Sequence, residues 1–218
     1  MWKENKGKWI ISCIVILLPI LVGILLWNQL PEIMATHWGV NGEPDGFNKK
    51  GFVVFGMPLI LLALHIVCVY VTKFGKSQIA QNKKVAGLMY WMVPVVVIFT
   101  FGIIYAEALG RTTNISFVAP LLVGLLFVCL GNYLPKLKQN YVIGIKIPWT
   151  LKDEENWNKT HRLSGKLWVV GGFVVLLSAF TTGEMAFTIM LVAILVMVLV
   201  PVIYSYALFR KAKKQSNG

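Results

Sequence analysis

The sequence predicts an all-α, polytopic membrane protein with six transmembrane helices and both termini in the cytoplasm. Three observations support this: the composition, the apolar runs and the placement of the basic residues. Hydrophobic residues make up 57% of the 218 residues and charged residues 14%, with a mean hydropathy of +0.70. Soluble domains hold about 45–50% apolar and about 25% charged residues. The expected solvent is therefore the hydrocarbon of a bilayer.

Six apolar runs are candidate membrane spans. About 20 residues at 1.5 Å per residue cross the roughly 30 Å hydrocarbon core. The runs cover residues 9–30, 52–72, 85–106, 115–134, 167–182 and 185–209. The fifth run is short and must borrow Gly165 and Lys166, so five spans is the alternative count. The first run follows three lysines, as in a signal peptide, but its length and the lack of a cleavage site favour an uncleaved anchor.

The distribution of Lys and Arg predicts the orientation. With both termini inside, 18 of the 21 basic residues lie in cytoplasmic segments, and only Lys49, Lys50 and Arg111 lie outside. Short cytoplasmic loops carry such an excess. The loop at 31–51 is then external and the loop at 131–166 cytoplasmic. The net charge of +12 indicates contact with anionic membrane lipid and no direct nucleic-acid binding, because no soluble basic domain is present.

The external loop, residues 31–51, is too rich in special residues to be a simple connector. Asn41-Gly42 and Pro44-Asp45-Gly46 are turn signals, which predict an ordered loop. The residues of a candidate site in this loop are His37, Trp38, Glu43 and Asp45. Imidazole and carboxylates are compatible metal or proton ligands, but their spacing matches no established metal motif. The favoured alternative is a compact cap, in which Trp38 and Phe47 pack on the outer headgroups.

The cytoplasmic loop holds a predicted helix. The residue before Pro148 favours extended backbone, and Thr150-x-x-Asp153 resembles a capping box, so we expect a helix at about 151–162. One face of this helix carries residues at i, i+3, i+4 and i+7 spacing, namely Trp157, Thr160, His161 and Ser164. This face either closes a pocket against other loop residues, namely Asn132, Asn140 and Trp149, or lies at the membrane surface. In the second case His161 and Arg162 contact lipid phosphates.

Ionisable residues within spans are costly and are therefore candidates for function. His65 in the second span is interpreted as a neutral histidine bonded to a neighbouring helix, with a proton relay as the alternative. Glu107 and Glu184 lie at the external ends of their spans. The standard catalytic motifs are absent, so no enzyme is predicted. The cysteines lie inside apolar runs and predict no disulfide framework, metal or cofactor; they are Cys13, Cys68 and Cys129.

Four motifs in the cytoplasmic loop resemble the SdpI family of bacterial membrane proteins, named for an immunity protein. They are Gly131-Asn-Tyr-Leu-Pro-Lys136, Asn140-Tyr-x-Ile-Gly-Ile-Lys146, Pro148-Trp-Thr-Leu151 and Trp157-x-Lys-Thr-His-Arg-Leu-Ser-Gly165. We call residues 131–166 the signature loop. In the first half, Leu30-Pro31 and His37-Trp38-Gly39-x-Asn-Gly-Glu-Pro-Asp45 resemble a small membrane domain often fused ahead of this family. The expected domains are therefore a two-span domain at 1–84 and a four-span domain at 85–218.

The resemblance implies a multi-pass protein of the bacterial cytoplasmic membrane that neutralises or senses a secreted antimicrobial toxin peptide. A second implied partner is a small cytoplasmic repressor protein, although family members need not share that signalling role. The candidate residues of the signature loop are Asn132, Asn140, Lys146, Trp149, Thr150, Trp157, His161 and Arg162. Lys146 stands where we expect Arg in many relatives, and lysine lacks the bidentate fork of arginine.

Two other functions remain open from the residues alone. Kinking prolines within spans, His65 and the terminal glutamates favour a small transporter or exporter. A membrane enzyme that acts on lipid or peptide would use His161, or His37 with its neighbouring carboxylates, for its chemistry.

Overall fold

A computed structural model describes residues 2–74 and 83–216. The lysine-rich connection predicted between the second and third spans lies mostly outside these residues. The helices, in chain order, are α1 (Trp2–Leu25), α2 (Met57–Phe74), α3 (Lys83–Ala108), α4 (Ile115–Tyr133), α5 (Pro148–Lys152), α6 (Glu154–Ser178) and α7 (Gly183–Ser216). Short turns of other helical types precede α2, at Phe52–Gly56, and follow α4, at Leu134–Lys136.

Helices long and apolar enough to cross a membrane confirm the predicted all-α polytopic membrane protein. Five such segments occur in the described ranges: Lys6–Leu25, Phe52–Val71, Gly87–Ala108, Ile115–Lys136 and Gly183–Gln215. The fifth predicted span is not among them, because it occupies only the apolar end of α6. Its twelve residues, 167–178, extend about 18 Å, which is short of the roughly 30 Å hydrocarbon core. Six spans and two cytoplasmic termini stay predictions.

The chain packs as two compact units, the first containing α1 to α3 and the second α4 to α7. These units differ from the domains expected at 1–84 and 85–218, because α3 packs with the first two spans. Val97, Phe101 and Ile104 of α3 share one buried core with Ile16 and Val53. As the limit between two family domains, 84/85 stays a prediction.

A hairpin occupies the loop predicted to be external, where only ordered turns were expected. Strand β1 (Ile33–Trp38) pairs antiparallel with β2 (Pro44–Lys49). The Asn41-Gly42 turn is confirmed: Gly42 has φ +80° and its N–H donates to the Gly39 carbonyl at 2.9 Å. The second predicted turn, Pro44-Asp45-Gly46, is wrong. Since the Asn-Gly turn alone closes the hairpin, these residues pair across the sheet as the start of β2.

The helix expected at 151–162 is wrong in its limits. The short α5 ends at Lys152, and α6 begins at Glu154 and continues without a break to Ser178. Asp153 is the N-cap of α6, and its carboxylate accepts from the N–H groups of Glu155 (2.8 Å) and Asn156 (3.2 Å). The N-cap is Asp153 rather than Thr150, because the Thr150 hydroxyl bonds to the backbone before α5. The signature helix and the fifth apolar run are therefore one helix.

Glycines bring α4 and α6 into backbone contact, which holds both ends of the signature loop. A Cβ on Gly124 would lie 2.8 Å from the Gly172 carbonyl oxygen, and one on Gly131 would lie 2.9 Å from that of Gly165. Only small residues permit such close approach between membrane helices. The loop thus leaves and returns to a rigid helix pair.

Candidate functional site

Asn140 folds the first part of the signature loop. Its side chain is buried, and its Oδ1 accepts from the N–H groups of Val142 (2.8 Å) and Ile143 (2.9 Å). Its Nδ2 donates to the Lys138 carbonyl at 2.8 Å. Asparagine commonly bonds its own following backbone in this way. The amide of Asn140 is therefore used within the loop itself.

Trp157 and His161 form the centre of the loop. Trp157 is fully buried, and its Nε1 donates to the Leu137 carbonyl at 2.7 Å. The His161 ring stacks on it, with centroids 4.0 Å apart and an interplanar angle of 22°. Gly144 lies against both rings: a Cβ there would be 2.5 Å from His161 Nε2 and 3.0 Å from Trp157 Cη2. We call Asn140, Gly144, Thr150, Trp157 and His161 the loop frame.

Both ring nitrogens of His161 are engaged by backbone. Nε2 accepts from the Ile145 N–H at 3.1 Å, and Nδ1 lies 2.8 Å from the Trp157 carbonyl, to which it donates. This pattern requires the neutral ring with its proton on Nδ1. Burial lowers the pKa of His161, and the bond to the Trp157 carbonyl opposes this to a smaller extent. The interpretation of His161 as a lipid-phosphate contact is therefore wrong, because the ring is buried.

Thr150 joins α5 to the preceding turn. Its hydroxyl oxygen accepts from the Ile147 N–H at 3.1 Å and donates to the Ile145 carbonyl at 2.7 Å. Gln139 Nε2 donates to the Thr150 carbonyl at 2.7 Å. The residue expected to cap the long helix instead closes the loop ahead of it. Like Asn140 and His161, it is buried.

The remaining predicted residues of the signature loop lie elsewhere. Trp149 packs on Tyr206 and Phe209 of α7, at ring-centroid distances of 5.3 and 5.9 Å. Lys146 is exposed, and its Nζ donates to the Val142 carbonyl at 3.0 Å. Two further candidates are exposed at the surface, namely Asn132 and Arg162. Of the three residues expected to close a pocket against the His161 face, Asn132 is exposed, Trp149 packs on α7, and Asn140 is buried within the loop.

A buried polar contact between α6 and α7 was not predicted. Asn156 Nδ2 donates to the Ser205 carbonyl at 2.9 Å, and the Ser205 hydroxyl donates to Asn156 Oδ1. Thr160 Oγ1 donates to the same Oδ1 at 3.1 Å. The available signal was Ser205 itself, a polar residue inside the last apolar run. Together with Trp149, this contact ties the loop frame to the end of α7.

In the hairpin, the four candidate residues of this loop do not form a single cluster. His37 Nδ1 and Asp45 Oδ1 form an exposed cross-strand pair at 2.5 Å. Glu43 instead accepts from Asn41 Nδ2 at 3.0 Å within the turn. Trp38 packs against the buried core of the first unit. Among the described residues, no three His, Cys, Asp or Glu side chains are grouped to hold a metal ion.

Lys50 fixes the base of the hairpin and was also not predicted as a key residue. The side chain is 8% exposed, and its Nζ lies 2.7 Å from Glu32 Oε1. It also donates to the carbonyls of Trp27 and Leu30, each at 3.3 Å. These carbonyls follow the C-terminus of α1, where a cation is favoured. The sequence signal was the unusual pair of lysines in a loop predicted to be external.

Two ionisable candidates from the spans are held by hydrogen bonds within the first unit. His65 is buried, and its Nε2 lies 2.8 Å from the Ser12 hydroxyl of α1. The Glu107 carboxylate accepts from the Thr113 N–H. Glu184 is exposed in the first turn of α7. His65 is thus bonded to a neighbouring helix through Nε2, and its buried Nδ1 has no hydrogen-bond partner among the described residues.

Comparison with known proteins finds a match for each half of the chain. Residues 136–205 match the SdpI/YfhL protein family, and residues 14–62 match a domain of unknown function, DUF1648. The chain is 30% identical over 207 residues to the Immunity protein SdpI of Bacillus subtilis (strain 168), which covers 94% of this chain and 97% of the relative. No solved structure matches the chain. The chain therefore belongs to the SdpI/YfhL family of multi-pass bacterial membrane proteins.

Proposed function

We propose that this protein is a membrane immunity protein that protects a bacterial cell against a secreted antimicrobial peptide toxin from within the cytoplasmic membrane. The observation that carries this proposal is the similarity to an immunity protein over 94% of the chain and 97% of the relative. Because the similarity extends over nearly the whole of both chains, it includes the hairpin as well as the signature loop. The proposed role requires binding and no catalysis.

Toxin reception is assigned to the outward face of the hairpin. The side chains of His37, Asp45 and Phe47 are exposed there. They combine an apolar ring with a hydrogen-bonding pair, as binding surfaces commonly do. Strand pairing and the Lys50 contacts hold this face in shape before any partner arrives. Such preorganisation reduces the ordering entropy lost on binding.

A second role, toward a small cytoplasmic repressor protein, is assigned to the outer surface of the signature loop. The polar groups of the loop frame are used by the loop's own backbone, so a partner would meet the residues around it. Tyr141 is 75% exposed, and Lys146 is also exposed. Recruitment of a fluorescent repressor fusion to the membrane, and its loss in Tyr141→Ala with Lys146→Gln, would support this role. Unchanged recruitment would exclude it.

Survival of a toxin-sensitive host tests the main proposal. The wild-type chain should protect cells that lack other immunity genes, and His37→Ala with Asp45→Ala should remove that protection. Membrane abundance of this variant should stay within about twofold, because exposed loop charges contribute little to stability. Arg111→Ala, which removes an exposed charge outside the hairpin, is the matched control and should still protect.

Two results would contradict the proposal at different levels. Absence of protection by the wild-type chain at normal membrane abundance would reject the immunity function. Full protection by the His37→Ala and Asp45→Ala double variant would reject the hairpin as receptor and leave it as a structural cap.

A further inference from the structure

An apolar groove runs between α6 and α7 in the second unit. Its volume is about 420 Å³, and apolar side chains of both helices line it, chiefly Leu167, Val170, Val174, Val192, Val196 and Met197. The one hydroxyl in its lining, that of Thr188, donates to the Glu184 carbonyl at 2.9 Å. The groove therefore offers a ligand shape and apolar contact without a polar anchor.

The medium around this groove determines what enters it. Neighbouring apolar side chains outside the groove are widely exposed, among them Phe173, Leu177 and Leu195. Their natural surroundings are lipid chains, and water entering the groove would find no polar partners. The lining from Leu167 to Val174 extends about 10 Å, roughly a third of the hydrocarbon thickness. This length suits the upper part of one acyl chain.

Contact with hydrocarbon alone does not select a lipid, because lipid tails are as apolar as the groove. Selection requires a headgroup contact, and two cations are placed for one. Lys166 and Arg162 are exposed, one and two turns before Val170 on the same face of α6. In the described part of the chain, neither takes part in an ion pair with an acidic side chain.

We propose that the α6–α7 groove, with Lys166 and Arg162 at its end, binds one anionic phospholipid. The acyl chain lies in the groove and the headgroup phosphate lies between the two cations. Long basic side chains near the end of an apolar segment reach the headgroup layer in this way. Such a lipid would also cover α6 at the position where its apolar end is too short to cross the bilayer core. This site is independent of toxin binding.

Lipid binding to the purified full-length protein in detergent tests the proposal. Native mass spectrometry would count bound dioleoyl phosphatidylglycerol and, as the neutral lipid with the same chains, dioleoyl phosphatidylcholine. Phosphatidylglycerol should be retained preferentially by the wild type. Lys166→Gln with Arg162→Gln should weaken this binding about tenfold. Val170→Trp, which fills the groove, should weaken it while both cations remain.

Lys152→Gln is the matched control, an exposed lysine of the same unit outside α6. Equal losses in this control and in the double variant, with none in Val170→Trp, would show general charge attraction and overturn the proposal. A dimer by light scattering that Val170→Trp dissociates would place a second copy in the groove and also overturn it. Helical circular dichroism checks folding, and Val192→Phe replaces Val170→Trp if that variant does not fold.

Discussion

At Gly144, both the backbone conformation and the packing of neighbouring side chains require glycine. Its φ of +111° lies in a region that side-chain-bearing residues rarely adopt, and two buried rings occupy the space where a Cβ would project. The neutral ring of His161 depends on this close approach, because its Nε2 accepts from the next backbone N–H. The loop frame is thus specified residue by residue.

Gly144→Ala should therefore destabilise the protein by about 3 kcal/mol, the combined effect of strain and overpacking. Thermal unfolding in detergent micelles measures this, with membrane abundance in cells as a second readout. Gly102→Ala in α3 is the control, because a Cβ there meets nothing within 4 Å. A Gly144→Ala variant as stable as Gly102→Ala would contradict the loop frame.

His161 predicts a dependence of stability on pH. Its pKa is lowered in the folded protein, so below the ordinary value of about 6.5 the unfolded chain binds the proton more readily. Stability is then complete above that pH and is lost as pH falls toward the folded pKa. Melting temperatures at pH 7.5 and 5.5 should differ more for wild type than for His161→Gln. Equal differences would show that His161 does not titrate in this way.

At the scale of the elements, the contact between α4 and α6 and the contact between α6 and α7 hold the second unit together. Glycines 124, 131, 165 and 172 place the two backbones in contact, and the Asn156–Ser205 hydrogen bonds fasten α7 to the start of α6. In the first unit, Lys50 joins the hairpin to the end of α1. Each candidate surface is therefore supported by contacts between elements rather than by the loop alone.

Adjacent glycines in α6 provide a direct test of this helix contact. A Cβ on Gly172 would lie 2.7 Å from the Val128 backbone nitrogen, whereas the three atoms nearest to a Cβ on Gly171 all belong to the Met197 side chain. Gly172→Ala should destabilise by about 2 kcal/mol. Gly171→Ala should be neutral or stabilising, since alanine favours helix by up to about 1 kcal/mol. Melting temperatures of the two variants decide this, and equal effects would contradict the backbone contact.

At the scale of the whole molecule, the basic residues predict which loops face the cytoplasm. In a chain whose native cysteines have been replaced, Asn41→Cys should react with an impermeant thiol reagent in intact cells. Lys138→Cys should react only after the membrane is permeabilised. Both positions are exposed, so the folded protein should not block the reagent. Reaction of position 138 in intact cells would reverse the orientation and reassign both candidate surfaces.

Much of the molecule follows from local patterns. Run length and hydropathy predict all five helices that qualify as spans in the described ranges. The Asn41-Gly42 turn follows from the freedom of glycine at positive φ. The spacing of Trp157, Thr160, His161 and Ser164 predicts a single face, and all four residues are buried. Each of these properties depends on neighbours in the sequence, so composition and periodicity are sufficient to predict it.

The sequence by itself determined a helical membrane protein of this family, the positions of its two special loops and the face that His161 shares with Trp157. Only the tertiary structure decided that Trp149 packs on α7, that Asn156 bonds Ser205 at a separation of 49 residues, and that Lys50 is buried beneath a hairpin. The physical reason is distance along the chain. These contacts satisfy polar and aromatic groups from remote segments, and no local periodicity specifies which remote partner each group will meet.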